Sequence, residues 1–531
     1  MFTKSEKFRE EYCAQVVKIN RIEPIENSDF LVKAIVGEGG YQVVISKDSC
    51  QVGDVMIYAK IGTRLSRQFL SVNNQFELSE RQLNKNYEEV QSLIDDGKRE
   101  EAKKLVGYFD KHGRVRIVKL RGCYSEGVLF PIESLLKWKP KVKDFDFEKC
   151  FVPGQDGIVE PFNFDEIDGD RFIAVFVPIV KKAPERLTKE QKVKKKFQKK
   201  MARFDRMVTG QFAEHYDTNM LRDNIWRLKP DTVVTISVKM HGTSHIVGNL
   251  LVKSPKGQVT EWEIKKIREK IRNIKKLESR FYWQRKVNEN RIERLKKKIK
   301  SMYNFKYGNV TSSRRVIRNR YINKGVRRNF YSRDIFLLYG NLLYPYLPEG
   351  ITLYSEICGF IDGTAQPVQV TKKTKIPFDY GCDTGESFIM PYRITFTDAD
   401  GNKTDWEVME VYGWTLQLLK DHPQLKDKVK PIPILYHGTL GDLYPDIPVD
   451  MHWHENILEA MANDVEHFGM ELDEPLCFNK VPREGIVLRI DNDEKPEAFK
   501  LKTKKFREDE DKANETGEFD LETMEGYGDD N

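Results

Sequence analysis

Between residues 13 and 62, apolar and polar side chains alternate in short runs, CAQVVKINRI, FLVKAIVG, GYQVVISK and VGDVMIYAKIG, each the length of one β-strand. Asn27–Ser28 and Glu38-Gly39-Gly40 supply turns between them. The pattern changes to a helical period over residues 76–106 and returns to strands over 114–130, RVRIVKLRGCYSEGVLF. Farther on, VVTISVKM, ITLYSEI, PYRITFTD, GIVLRI and AFKLK read as strands separated by helical stretches.

About five short strands with one helical interruption predict a small β-barrel over residues 1–138, of the oligonucleotide-binding type (OB-like); another small β domain is the plainer alternative. Residues 139–206 read as a connector. They hold little pattern beyond RFIAVFVPIV and end in a basic arm, 186–206, either a solvated charged face or a contact for RNA. Residues 207–508 then form an α+β domain. Its segment 253–302 carries Ile267, Ile271, Ile274 and Leu277 three or four apart, which predicts a helical hairpin with one buried stripe and a basic outer face. The last stretch, 509–531, is acidic and is expected to be disordered.

Composition narrows the partners. The chain of 531 residues is 39% hydrophobic and 32% charged, as expected for a globular protein of two or three domains. No run of about 18 apolar residues exists, so no membrane span is expected. The polar N-terminus, MFTKSEKFREEY, lacks an apolar signal core. Seven scattered cysteines without zinc-type spacing imply free thiols, no zinc and a cytoplasmic setting. The net charge of +7 is modest, but Lys and Arg crowd into 181–206 and 253–330. Such concentration points to an anionic polymer, nucleic acid foremost.

The sharpest local feature is Lys239-Met240-His241-Gly242-Thr243-Ser244 directly after VVTISV. A lysine ending a strand before a Gly-Thr-Ser turn is placed to attack phosphorus, Gly242 lets backbone approach a ligand, and the hydroxyls can bond phosphate or ribose. Alone the match is weak. It is followed in order by Ser312-Ser313-Arg314-Arg315, by Tyr354-Ser355-Glu356-Ile357-Cys358-Gly359-Phe360, by Arg483-Glu484-Gly485-Ile486-Val487-Leu488-Arg489 and by Phe499-Lys500-Leu501-Lys502-Thr503. Strand geometry puts Lys500 and Lys502 on one face and Leu501 on the other, an arrangement suited to a triphosphate.

This ordered set resembles motifs I, Ia, III, IV and V of the covalent nucleotidyltransferases, which comprise DNA ligases, RNA ligases and mRNA capping enzymes. Those with KxDG are DNA ligases and capping enzymes; His241 makes this chain resemble the RNA ligase 2 branch, as do His215-Tyr216-Asp217-Thr218 and Asn224. The resemblance spans roughly residues 205–508. DNA ligases and capping enzymes carry their barrel after motif V, whereas the candidate barrel here comes first, as in Deinococcus-type RNA ligases.

The resemblance implies a nucleotidyltransferase domain, ATP-grasp-like in class, acting as an ATP-dependent RNA ligase. Such an enzyme joins 5′-phosphate and 3′-hydroxyl RNA ends through lysyl-AMP and adenylylated RNA, at nicks in duplexes. Lys239 becomes the nucleophile, with Lys500 and Lys502 nearby disfavouring its charged form. Glu484 becomes the carboxylate on the side of Mg2+, with Mn2+ a possible substitute. Glu356 meets a ribose hydroxyl, and Arg314 (or Arg315, if the register is off by one) the ribose or 5′-phosphate. Tyr392 stacks on adenine, while Phe396, on the same face, is the alternate or simply core. His241 and Gly242 contact the nucleotide, or His241 is structural. The other readings are a nucleic-acid-binding protein with an inactive ligase fold, and a DNA ligase. His452 and His454 do not form a convincing metal pair. Tyr436-His437-Gly438-Thr439, which repeats HGT without a lysine, reads as a loop. Arg280-Phe281-Tyr282-Trp283 could stack bases or pack the hairpin.

Overall fold

The computed structural model describes residues 1–153, 159–176, 208–215, 218–256, 261–276, 282–314, 317–318, 331, 333–372, 374–450, 452–467, 476–491 and 496–516. It is a mixed α/β structure. The strands Ala14–Pro24, Leu31–Val36, Tyr41–Ser46 and Val55–Lys60 fall where the alternation put them. With Gly127–Pro131 and Phe162–Phe164 they make a six-stranded antiparallel sheet. Ala14–Pro24 serves two partners: its first residues pair with Val55–Lys60, and past an irregularity between Ile19 and Arg21 the rest pairs with Leu31–Val36. An irregularity of this kind bends a strand, so the sheet curls around its core.

The helical stretch 76–106 is three short pieces, Leu78–Leu83, Tyr87–Asp95 and Arg99–Lys104. Gly97, at φ +76°, reverses the chain between the last two. The described residues of the expected connector, 139–153 and 159–176, include strands that belong to the N-terminal unit. Phe162–Phe164 pairs with residues 14–16, Glu166–Ile167 with Phe2–Thr3, and Ile173–Val175 with Thr63–Leu65. Phe164, Ile167, Phe172 and Ile173 are buried in the same core as Ile57, Phe69 and Phe130. Strands of two or three residues are too short to show a period, so a boundary at 138 was all the pattern could offer. The basic arm lies outside the described residues.

Two five-stranded sheets form the second half. The first runs Asn219–Met220, Glu497–Lys502, Gly485–Ile490, Val233–Lys239, Ile434–Thr439; the second runs Tyr303–Ser313, Thr243–Pro255, Ile351–Gly359, Ser387–Thr397, Lys403–Asp405. Helix Trp453–His467 packs on the first through Trp453, Ile457 and Met461. Helices Ile335–Leu343 and Val408–Asp421 cover the second through Phe336, Tyr339, Val411 and Leu418.

Several expectations are corrected here. The segment Tyr436–Thr439 is not a loop: Ile434–Thr439 is an edge strand against Val233–Ser237. The insertion starts later than residue 253, because Thr243–Pro255 and Tyr303–Ser313 form one long ladder, from His245 opposite Ser313 to Pro255 opposite Tyr303. Helices Glu261–Lys276 and Tyr282–Ser301 cap its tip. Ile264 and Ile274 are buried and Ile267 and Ile271 half-buried, while Leu277 falls outside the described residues, as do the side chains of 281–283. The acidic tail does not begin as disorder at 509: helix Lys504–Thr516 runs through that point. Residues 517–531 are outside the described set. All seven cysteines are free. Among the described residues no helix is long and apolar enough to cross a membrane.

Because Phe172 is fully buried in the N-terminal core, Phe172→Ala should lower stability by about 3–5 kcal/mol. Urea unfolding should show a lower midpoint at unchanged slope. A loss under about 1 kcal/mol would place the segment outside the core.

Candidate active site between two sheets

Lys239 ends an inner strand of the first sheet, directly opposite Gly485. Met240, His241 and Gly242 carry the chain across to the second sheet, where Thr243 pairs with Ile357. The crossing is tight. A Cβ on Gly242 would lie 2.2 Å from the Ile357 carbonyl oxygen and 2.8 Å from Glu356 Cγ. No side chain fits there. The Gly242 N–H donates to Glu356 Oε1 at 3.1 Å, and its carbonyl accepts from Gln369 Nε2 at 2.8 Å. The His241 N–H donates to Tyr380 Oη at 2.7 Å. Its ring stands edge-on between Phe378 and Phe506, with centroids 4.8 and 4.9 Å away. His241 Nδ1 is 3.7 Å from Glu484 Oε2, too far for a hydrogen bond.

Glu484 is the electrostatic centre. Its Oε1 lies 2.7 Å from Lys239 Nζ and 3.6 Å from Lys502 Nζ, and the residue is 5% exposed. Burial drives its pKa upward, but Lys239, Lys502 and His241, with the Lys239 hydrogen bond, outweigh burial and hold it below 4.5. Lys502 is the converse: burial pushes its pKa down, and Glu510, Glu484 and Glu11 more than restore it, leaving it raised. The charge nearest Lys239 is therefore a carboxylate, where the sequence reading had placed the cations of Lys500 and Lys502.

Lys500 and Lys502 project from one face, with Phe499 and Leu501 buried on the other. Each meets a carboxylate from outside the sheets. Lys500 Nζ is 3.1 Å from Glu11 Oε1, and Lys502 Nζ is 2.7 Å from Glu510 Oε1. On the opposite wall, Tyr354 pairs with Arg393 and Ser355 with Pro391, so Tyr392 is the extra residue of a bulge. The bulge turns both Tyr392 and Arg393 toward the cavity. Tyr392 has the ring of His215 5.7 Å away. Arg393 is gripped by Asp405 through two bonds of 2.9 Å.

Lys239, His241, Gly242, Arg314, Glu356, Tyr392, Glu484, Lys500 and Lys502 all line one cavity of about 320 Å³. Phe396 does not; it is 42% exposed, neither site nor core. Arg315, Tyr216 and Asp217 lie outside the described residues, and Asn224 is buried with its amide on the Met220 carbonyl. His437 bonds Thr235, and His454 the Leu228 carbonyl. Sequence reasoning missed Arg9, Glu11, Tyr12, Arg393 and Glu510, all of which line the cavity. Only Glu510 left a signal: it follows Phe506 by four residues, one face of a helix, had the tail been read as helical.

No family model matches the chain, and no curated protein matches it. Among solved structures it is similar to Naegleria gruberi RNA ligase. A mutant with ATP and Mn is 14% identical, with TM-score 0.45, over 94% of this chain and 99% of that one. A mutant with AMP and Mn is 13% identical, with TM-score 0.46, over 95% and 100%. The form with PPi is 13% identical, with TM-score 0.42, over 94% and 98%.

The lowered pKa of Glu484 sets a pH dependence. Its stabilisation is fully present above 4.5, its unfolded value, and is lost as pH falls through its lower folded value. Unfolding free energy measured for the wild type and Glu484→Gln should therefore differ at neutral pH and converge in acid below 4.5. A gap that widens in acid would contradict the assignment.

Proposed function

We propose that this protein is an ATP-dependent RNA ligase that carries AMP on Lys239. The observation that carries the reading is convergence. Residues from six separated segments, spread between 239 and 502, meet around one cavity with Lys239 in its lining. Two lysines on one strand face, an arginine, two carboxylates and a half-buried tyrosine are the groups a nucleoside triphosphate requires.

In the first step the deprotonated Lys239 Nζ attacks the α-phosphorus of ATP. A P–N bond forms, the α–β P–O bond breaks, pyrophosphate leaves with the electron pair, and the proton lost from Nζ passes to water. Lys500 and Lys502 face the departing negative charge and stabilise it, exchanging Glu11 and Glu510 for phosphate oxygens. Glu356, already held by the Gly242 N–H, reaches the ribose, and Tyr392 takes the base. The AMP then passes to an RNA 5′-phosphate, and a 3′-hydroxyl displaces it to seal the strand.

A divalent cation fits the donor set. Among the described residues no group of three or more His, Cys, Asp or Glu forms a protein-only metal cage. That agrees with a Mg2+ (or Mn2+) ion held by one carboxylate, Glu484, together with phosphate oxygens and water, where it would neutralise phosphate charge.

RNA is the proposed polymer partner, and a nick in a duplex the proposed substrate. The N-terminal unit, read as OB-like, and the basic helices Glu261–Lys276 and Tyr282–Ser301 are the surfaces proposed to hold it. Lys266, Lys270 and Arg272 on the first helix and Lys296, Lys297 and Lys298 on the second are exposed. Such contacts position a backbone without reading its sequence.

Incubation with α-labelled ATP and magnesium should label the wild type and not Lys239→Ala, with GTP giving no label. An unlabelled wild type, folded and free of bound AMP, would overturn the reading and favour an RNA-binding protein with an inactive ligase fold. Replacing Lys296, Lys297 and Lys298 by Gln should weaken RNA binding and lower the slope of log K against log salt by roughly 2–3 while sparing Lys239 labelling. Lost labelling would instead assign those residues to the fold.

A further inference from the structure

Each lysine of the Phe499–Thr503 segment hydrogen-bonds a carboxylate that neither central sheet supplies, and both lines of support lead to the N-terminal unit. Lys500 is reached directly: Glu11, in the 3-10 turn Glu10–Tyr12, places its oxygens 3.1 and 3.2 Å from Nζ. Lys502 is reached through helix Lys504–Thr516, whose Glu510 takes Nζ at 2.7 and 2.8 Å. The same helix lays Phe506 against His241. Its Arg507 Nη1 donates to Glu126 Oε1 of the N-terminal unit at 2.6 Å, and the Tyr124 hydroxyl donates to Glu508 at 3.0 Å.

Glu126 is an anchor for that helix. It is 0% exposed, and its second oxygen accepts from Arg222 Nη1 at 3.0 Å. A buried carboxylate between two arginines is strongly fixed in direction, because either cation left alone in that interior is costly. Beside it Asp223 binds Lys60 Nζ at 2.7 Å and the Tyr41 hydroxyl at 2.7 Å, both from the N-terminal unit.

We infer that Arg507 is a positioning residue for nucleotide activation: by tying helix Lys504–Thr516 to Glu126, it holds Glu510 against Lys502 and Phe506 against His241. The inference rests on reading the cavity as an ATP site. Arg507→Gln keeps the Glu126–Arg222 pair and so keeps the units docked, while removing the helix's buried ion pair and leaving it the Tyr124–Glu508 bond. Lys502 and His241 then lose their common support.

The experiment uses the full chain and measures the rate of protein-bound AMP formation from α-labelled ATP and magnesium, without RNA, across ATP concentrations. Arg507→Gln should lose on the order of tenfold in kcat/KM, most of it in KM for ATP. Arg507→Lys should recover part of the loss. Arg21→Ala breaks inter-unit pairs with Glu455 and Glu459, which do not line the cavity, and should match the wild type. Wild-type or lower KM in Arg507→Gln, or an equal loss in Arg21→Ala, overturns the inference and leaves the ligase reading intact. An unlabelled wild type overturns the ligase reading instead. Hydrogen exchange then still tests the tether: Arg507→Gln should expose the amides of residues 504–510, and unchanged protection there refutes it.

Discussion

Gly242 is the constraint on which the site depends. The chain must leave one sheet at Lys239 and enter the next at Thr243, and at the crossing the Ile357 carbonyl oxygen lies where a Cβ would be. Because no side chain separates them, the crossing backbone can lie against the strand Ile351–Gly359 and donate to Glu356. That contact puts Glu356 on one wall of the cavity and leaves Lys239 at the mouth of the other. Hydrogen bonds from Gln369 and to Tyr380 hold the crossing on both sides of the glycine. Position in such a site is set by packing and by backbone bonds, which leave little freedom for the reacting group.

Charge balance is the second determinant. A carboxylate as buried as Glu484 is tolerable only with cations against it, and Lys239 and Lys502 both serve. The lysine proposed as nucleophile thus begins as half of an ion pair. On the proposed reading, a triphosphate entering the cavity would offer new anions to Lys500 and Lys502 in competition with Glu11 and Glu510. Four cations of the cavity wall face carboxylates drawn from four parts of the chain: Lys239 with Glu484, Lys500 with Glu11, Lys502 with Glu510 and Arg393 with Asp405.

The N-terminal unit and the central sheets share buried ionic contacts, Glu126 with Arg222 and Arg507, and Asp223 with Lys60. These contacts are specific in direction, whereas an apolar interface of equal area would tolerate sliding. The helical hairpin, in contrast, projects from the far end of the ladder Thr243–Pro255 and Tyr303–Ser313. Its helices add a large basic surface without disturbing the register near Lys239.

The sequence by itself determined the strands whose period is clean, Val233–Lys239, Gly485–Ile490 and Glu497–Lys502 among them, because alternation directly encodes which face is buried. It also determined the local chemistry: the lysine before a glycine turn, the paired lysines facing one way, one carboxylate inside a strand and another at a strand's entry. Only tertiary structure decided what these groups face. Glu11 meets Lys500 across 489 residues, and Arg507 meets Glu126 across 381; no periodicity encodes a contact so distant. The same holds for Phe162–Phe164 and Ile173–Val175, too short to show a period and fixed by their partners. The acidic stretch after 508 reads as solvated because its charges lack visible partners in the sequence. The fold supplies one in Lys502, and the first part of that stretch becomes helix.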